Sequence, residues 1–114
     1  MDDCLFCKII AGEIPSKKIY EDDKCYAFYD ISPQAPVHFL MIPKMHIKDA
    51  NELNAENAAV VAHCYVKIAE TAKKLGIAED GYRIVNNCGT NGQQTVGHLH
   101  FHVLGGRMMT WPPG

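Results

Sequence analysis

The 114-residue chain lacks any apolar run close to the roughly 20 residues that a membrane-spanning helix needs. Its formal net charge of -2 offers no general basic surface for a nucleic-acid backbone or an anionic membrane. The first residues, Met1 to Cys4, are acidic and lack the basic-then-apolar order of a secretory signal. We therefore expect a cytoplasmic protein that binds neither nucleic acid nor membrane.

The cysteines do not form a pattern typical of a disulfide-stabilised protein. The chain has five of them, and an odd number without an export signal argues against a disulfide framework. Cys25 lies in an apolar strand-like run and Cys64 on a helix face, so we expect both to be buried as small hydrophobic residues. Cys4 and Cys7 remain as a C-x-x-C pair.

The order of predicted elements indicates an α+β fold with an antiparallel sheet of about five strands, in one domain spanning residues 1–114. Only one strand–helix–strand crossover is available, which disfavours a doubly wound parallel sheet. The predicted helices are a short one at 4–11 and a long one at 54–75, capped by Asn54 and ended by Gly76. The predicted strands cover 17–21, 24–30, 37–42, 82–86 and 99–104.

Three histidines, His98, His100 and His102, alternate with apolar residues near the end of the chain. On a strand, residues i, i+2 and i+4 share a face, so we expect the three imidazoles in one row. Such a row needs partners when buried, which makes an incidental role improbable. Two chemical roles fit it: zinc binding, and nucleophilic attack by a neutral imidazole on phosphorus.

The loop before the histidines, residues 87–97, favours phosphate chemistry. It is rich in glycine, amide and hydroxyl side chains, which allow close backbone approach and neutral hydrogen bonds to a phosphate oxygen. It contains no Gly-Lys-Ser/Thr and so is not a Walker loop. A catalytic zinc held by the histidine row itself is disfavoured, because no Glu or Asp stands nearby as a base.

The segment His98 to Arg107 resembles the His-φ-His-φ-His-φ-φ motif of the histidine-triad (HIT) superfamily. The segments 30–36, 38–44 and 111–114 resemble its Hint branch, the histidine-triad nucleotide-binding proteins. The resemblance covers nearly the whole chain. It implies a HIT-like fold and a homodimer across which the sheet continues.

The resemblance also implies a purine nucleoside phosphoramidase that acts on AMP-lysine-like substrates. By it, His100 is the nucleophile on the α-phosphorus, His102 contacts the phosphate and His38 organises the proton network. Asp30 would hold the ribose hydroxyls, and Trp111 in the tail would reach the partner's site. The rest of the implied nucleotide-binding set comprises base-pocket residues and loop residues: Phe28, Ile31, Leu40, Asn87, Gln94, Thr95 and Val96.

Cys4 and Cys7 lie one helical turn apart, a spacing that zinc sites use. His46 and His98 are the natural third and fourth ligands. Some bacterial histidine-triad proteins and galactose-1-phosphate uridylyltransferase resemble this arrangement. A closed site with four protein ligands would be structural. The alternative is a reduced pair of cysteines with His46 capping a turn. No organic cofactor is expected.

Two other functions remain open for the same residues. A dinucleoside polyphosphate hydrolase of the same superfamily is one, although the tail 111–114 and the spacing of 32–36 favour the phosphoramidase. A nucleotide-binding adaptor with incidental turnover is the other. Outside the site, His63 shares a helix face with charged residues, and we expect it to be solvated.

Overall fold

One antiparallel sheet forms the centre of the computed structural model, which describes residues 3–114. The prediction that the N-terminal segment is not a secretory signal includes Met1 and Asp2, which lie outside the described residues. The elements follow the chain as α1 (Leu5–Ile10), β1 (Lys18–Glu21), β2 (Cys25–Tyr29), β3 (Val37–Pro43), α2 (Ala58–Lys74), β4 (Tyr82–Val85) and β5 (Phe101–Gly105). A single 3-10 turn, Ala50–Glu52, precedes α2.

The strand order is β1-β2-β3-β5-β4, and every neighbouring pair is antiparallel. β1 to β3 follow one another directly, and α2 carries the chain across the sheet to β4. The prediction of an α+β fold with five antiparallel strands, one short helix and one long helix is confirmed. Among residues 3–114, no helix is both long and apolar enough to cross a membrane.

The sheet has an apolar face on each side. Phe39 and Met41 of β3 belong to the core cluster that includes Cys64 and Ile68 of α2. Leu40 and Ile42 point to the opposite face of the sheet. There they belong to a second cluster with Phe6 and Ile9 of α1. The expected burial of Cys25 and Cys64 is confirmed. The short helix therefore lies on the face of β3 that also carries His38.

The long helix begins later than predicted. Asn54 accepts the backbone N–H groups of Glu56 and Asn57 with its side chain, which closes a separate turn before Ala58. The end agrees with the prediction, since Gly76 has φ +79° and the Ile77 N–H returns to the Ala72 carbonyl over 3.0 Å.

The predicted strand 99–104 is wrong at its start, because β5 begins at Phe101. Its pairing with β3 extends from Gly105 only to the Met41–Phe101 pair. Before that, the Leu99 N–H bonds to the Ile47 carbonyl over 2.6 Å, outside the ladder. Leu99 still points into the α2-side core, so the alternation of apolar and histidine side chains persists into the irregular segment.

The expectation of a merely solvated His63 is also wrong. Its Nε2 lies 2.7 Å from Oδ2 of Asp22, and the two side chains are only 25% and 19% exposed. Asp22 also accepts the Tyr20 hydroxyl and the N–H groups of Lys24 and Cys25. The contact therefore joins α2 to the turn between β1 and β2.

Candidate functional site

His38 and His102 face each other across neighbouring strands. Nε2 of His38 lies 2.9 Å from Nδ1 of His102. The backbone N–H of Gln34 donates to Nδ1 of His38 over 3.0 Å, so in the neutral ring the proton sits on Nε2. His38 therefore donates to His102, whose own proton must sit on Nε2. The backbone-anchored His38 ring thus leaves the Nε2–H of His102 as the free donor of the pair.

Asp30 completes this group at the end of β2. Its Oδ2 lies 3.5 Å from Nε2 of His38 and 3.7 Å from Nδ1 of His102. Its other oxygen accepts the Ser32 N–H over 2.7 Å, which holds the carboxylate in an Asx turn. Asp30 thus has a fixed position with one oxygen turned towards the histidines.

His100 has the opposite tautomer. Its Nδ1 lies 2.7 Å from the carbonyl oxygen of His98 and must donate to it, because a carbonyl only accepts. Nε2 therefore carries the lone pair. No buried side-chain nitrogen within residues 3–114 lacks a partner, and no partner of this Nε2 is found there, so the atom must reach open space. The Asn86 amide braces the same residue by donating to the His100 carbonyl over 2.9 Å.

Burial keeps these imidazoles neutral. Desolvation lowers the pKa of His100 below its usual value, and the nearby Asp30 and the bond to the His98 carbonyl offset this only in part. The pKa of His102 falls to about 4, because burial acts together with the neighbouring His100 and His38 rings. Burial also lowers the pKa of His38, against the opposing charge of Asp30. At neutral pH the site therefore offers a lone pair on His100 and an N–H on His102.

A cavity of about 690 Å³ opens beside Asp30 and His38, a size suited to a small-molecule ligand, and neither His100 nor His102 is among its lining residues. Phe28, Asp30 and Ile31, three of the residues predicted to hold the base and the ribose, line it together with His38. Sequence reasoning missed the opposite wall, formed by Ile9 of α1 and the segment 15–17. The apolar period of α1 could have indicated Ile9, but the fold is needed to bring the segment 15–17 across.

The remaining predicted contacts are dispersed around the site. Leu40 is buried in the cluster that contains Phe28, opposite both Phe28 and His102 in the strand registers, and does not line the cavity. Thr95 and Val96 line a neighbouring cleft with Cys4 and His46.

Two amide side chains of the loop, those of Asn87 and Gln94, are hydrogen-bonded to backbone groups. Asn87 donates to the Gly92 carbonyl over 2.6 Å. Gln94 accepts the Gly89 N–H and donates to the carbonyls of Lys48 and Val96. Trp111, in the tail, is 81% exposed and lies 6.0 Å from the Arg83 guanidinium.

A second cluster lies at the other end of the histidine motif. Nδ1 of His98 is 3.3 Å from the Cys4 sulfur and 3.5 Å from that of Cys7, and Nδ1 of His46 is 3.3 Å from the Cys7 sulfur. All four ligand atoms lie within 4.8 Å of one another. The structure thus brings together the four predicted metal ligands as a possible metal-binding cluster.

The donor set fits a tetrahedral zinc ion. Zinc bonds of 2.0 to 2.3 Å place ligand atoms about 3.3 to 3.8 Å apart in a tetrahedron. Nε2 of His98 donates to the Pro43 carbonyl over 2.8 Å, which leaves Nδ1 free as a ligand, the usual support for a metal-bound histidine. Burial and the nearby Cys4 raise the pKa of the Cys7 thiol to about 11, so metal binding would release its proton.

α1 connects the two clusters. It places Cys4 at its N-cap and Cys7 one turn later, and between them Phe6 packs edgewise against His98 and His100 with ring centroids 6.0 and 5.1 Å away. Sequence reasoning took the C-x-x-C pair for a metal site but missed that Phe6 covers His100.

The comparisons with known proteins agree with this architecture. The HIT domain family matches residues 11–109, and the chain belongs to that family. An uncharacterised HIT-like protein of Synechococcus elongatus is 50% identical over 113 residues, 99% of this chain and 98% of the relative. A similar protein of Synechocystis is 49% identical over the same shares of the two chains.

Solved structures extend the match. A HIT family hydrolase from Legionella pneumophila superimposes with a TM-score of 0.96 at 48% identity, covering 98% of this chain and all of the other. A histidine triad protein from Clostridium difficile gives 0.94 at 44% identity, with 96% of each chain covered. The histidine-triad resemblance is confirmed at the level of the superfamily, and the relatives point to a hydrolase.

Proposed function

We propose that this protein hydrolyses the P–N bond of purine nucleoside phosphoramidates through a nucleotidyl-histidine intermediate on His100. The observation that carries the proposal is the bond from His100 Nδ1 to the His98 carbonyl, which leaves Nε2 as a neutral nucleophile. A HIT family hydrolase among the structural relatives supports a hydrolytic reaction.

In the proposed reaction, Nε2 of His100 attacks the α-phosphorus. The electron pair of the P–N bond leaves with the amine, which takes up a proton from water. A water molecule then attacks the phosphorus of the nucleotidyl-histidine and gives its proton to the hydroxide left by the first step, the bond to Nε2 breaks with its electron pair returning to Nε2, and the nucleoside monophosphate is released. Dividing hydrolysis into two displacements is the usual advantage of covalent catalysis.

The neighbouring groups suit the two ends of such a substrate. The free Nε2–H of His102 can donate to a phosphate oxygen, and His38 holds that ring in the required tautomer. The fixed carboxylate of Asp30 can accept ribose hydroxyls, while Phe28 and Ile31 offer apolar surface to a purine. We assign Gln94 the task of shaping the loop that carries Thr95 and Val96.

We further propose that Cys4, Cys7, His46 and His98 hold one zinc ion. With four protein ligands the ion has no open position, so it would supply a structural cross-link and not reaction chemistry. It would fasten α1 to the segment that precedes β5. The reduced thiols that this site requires favour a cytoplasmic location.

A homodimer is part of the proposal. β4 is an edge strand of the sheet, and an edge offers unpaired backbone groups to a second chain. Two large apolar side chains near the C-terminal end of the chain are exposed: Trp111 is 81% exposed and Met108 is 92% exposed.

The test is a steady-state comparison of an AMP–lysine conjugate with a diadenosine polyphosphate. We expect a clearly higher kcat/KM for the conjugate, and acid-quenched reactions should contain protein-bound AMP on His100. Preference for the polyphosphate would move the protein to dinucleoside polyphosphate hydrolysis. Tight AMP binding without turnover of either substrate would favour the adaptor.

A further inference from the structure

Two arginines hold the segment that follows β5, and they do so differently. Arg107 donates from Nε and Nη2 to the Gln34 carbonyl over 3.2 and 3.0 Å, and from Nη1 to the Met108 carbonyl over 3.2 Å. Arg83 donates from Nη2 to the Thr110 carbonyl over 2.9 Å and makes no hydrogen bond to the Gln34 loop within the described chain. Of the two arginines, only Arg107 is hydrogen-bonded to the loop before β3 within the described chain.

The loop and the segment are pressed together at this point. Val37 of β3 pairs with Gly105 of β5, so Gln34 and Arg107 both lie just beyond the same end of the two strands. At Gly106, with φ +90°, an added Cβ would lie 2.9 Å from Cβ of Pro36. The close approach lets the planar guanidinium place two N–H groups on one carbonyl oxygen.

Gln34 is also the residue that orients His38. Its carbonyl accepts from Arg107 while its N–H donates to Nδ1 of His38, and His38 in turn donates to His102. A continuous path of hydrogen bonds thus leads from the surface guanidinium to the ring that faces the cavity side of the sheet. We infer that Arg107 is a positioning residue: by fixing Gln34 it sets the tautomers of His38 and His102.

The other tautomer of His38 would change which group His102 presents to a ligand. If the Gln34 N–H turned away, His38 could carry its proton on Nδ1 and accept at Nε2. His102 would then donate from Nδ1 and present a lone pair at Nε2. A lone pair repels a phosphate oxygen, whereas an N–H binds it. This last consequence, and only this one, rests on the proposed function.

The direct test is nuclear magnetic resonance of the intact protein with 15N-labelled histidine, which distinguishes protonated from unprotonated ring nitrogens. In the wild type we expect Nε2–H at both His38 and His102. Arg107→Ala should give mixed tautomers at both rings, and Arg83→Ala, the matched control at the other arginine, should leave them unchanged. Wild-type tautomers in Arg107→Ala, or equal changes in Arg83→Ala, would overturn the inference.

Arg107→Lys separates geometry from charge. Lysine keeps the positive charge but lacks the planar fork that binds one carbonyl twice, so we expect mixed tautomers here too. Full restoration of the wild-type tautomers by lysine would show that charge alone suffices and would refute the geometric account. Circular dichroism of each variant verifies that the fold is intact.

Kinetics provides the second readout. With the AMP–lysine conjugate, Arg107→Ala should lower kcat/KM about tenfold, the effect of losing about 1.4 kcal/mol of transition-state stabilisation. An unchanged kcat/KM with altered tautomers would contradict the link to catalysis. If the wild type does not turn over the conjugate, the proposed function fails, while the ring-nitrogen spectra still decide the role of Arg107.

Discussion

His98 and His100 are joined by a 2.7 Å hydrogen bond from the His100 ring to the His98 carbonyl oxygen. The ring of His98 belongs to the cysteine–histidine cluster, and its backbone sets the tautomer of the next histidine in the motif. One residue therefore connects the possible metal site to the proposed nucleophile. The three histidines are not equivalent: His98 offers Nδ1 to the cluster, His100 a lone pair on Nε2, and His102 an N–H at Nε2.

Replacing His100 tests the proposed nucleophile. His100→Asn or His100→Ala should reduce hydrolysis of an adenosine phosphoramidate by on the order of 10⁴-fold or more, the scale seen when a covalent nucleophile is removed. AMP affinity should change little, because the pocket residues Phe28, Asp30 and Ile31 are untouched. Turnover is measured by release of AMP and affinity by calorimetry.

His63→Gln is the matched control for loss of a histidine. His63 pairs with Asp22 on the α2 side of the protein, away from the cavity, so its replacement should leave turnover near the wild-type rate. Undiminished turnover in His100→Ala would rule out the nucleophile, and AMP binding lost together with activity would indicate a damaged pocket.

The zinc proposal predicts a stoichiometry. Elemental analysis of protein purified without chelators should find about one zinc per chain, because the four ligands form a single closed site. Cys4→Ser should lower the zinc content, since it removes one thiolate. Cys88→Ser is the control, because Cys88 lies in the loop before the histidines and outside the cluster.

Removal of zinc should also affect the fold. A chelator should lower the melting temperature of the wild type, because the ion would cross-link α1 to the segment before β5. Cys4→Ser should be less sensitive to the same chelator. Metal-free wild-type protein, or zinc retained fully in Cys4→Ser, would reject the site.

Local pattern made most of the fold predictable. The mostly apolar runs of β2 and β3 and the helical spacing in α2 are properties of neighbouring residues, so both can be recognised in the sequence. The start of β5 was not predictable, because it depends on where β3 stops pairing, at Met41 opposite Phe101. The Asp22–His63 contact was missed for the same reason, since it joins residues 41 positions apart.

In the candidate site, too, some features could be predicted from the sequence and others required the structure. The motif and the C-x-x-C pair identified the chemical groups, and the structure brings the proposed metal ligands together. The tautomers could not be foreseen, because they are set by the backbone N–H of Gln34 and the carbonyls of Pro43 and His98, which almost any residue type could provide. Arg107 left no signal for the same reason, as its partner is a carbonyl oxygen.

Asp30→Asn tests the proposed ribose contact. The variant keeps an oxygen for the Ser32 N–H but loses the charge, so the turn should persist. A hydrogen bond to a charged group contributes about 1.5 to 3 kcal/mol, which predicts at least tenfold weaker AMP binding. The wild type should bind 2′- and 3′-deoxy-AMP less tightly than AMP, and this discrimination should shrink in Asp30→Asn. Equal discrimination in both proteins would place the ribose elsewhere.

The lowered pKa of the Asp22 carboxyl predicts that the stability of the fold depends on pH. Burial alone would raise the pKa of its carboxyl, but hydrogen bonds from Lys24, Tyr20, His63 and Cys25 together hold that pKa well below its usual range. Because the pKa is lower in the folded protein than the value of about 3.9 in the unfolded chain, the carboxylate stabilises the fold above that pH. The stabilisation is lost progressively as the pH falls below it.

Asp22→Asn should therefore lower the free energy of unfolding by about 1 to 2 kcal/mol at pH 5 and above, the scale of hydrogen bonds to a charged group. The difference from the wild type should shrink as the pH is lowered from 5 towards 2, because protonation removes the same charge. Urea unfolding at each pH measures it. Asp23→Asn, at the exposed neighbouring position, should show neither effect. A difference that stays constant with pH would mean that Asp22 stabilises the fold through its shape and not its charge.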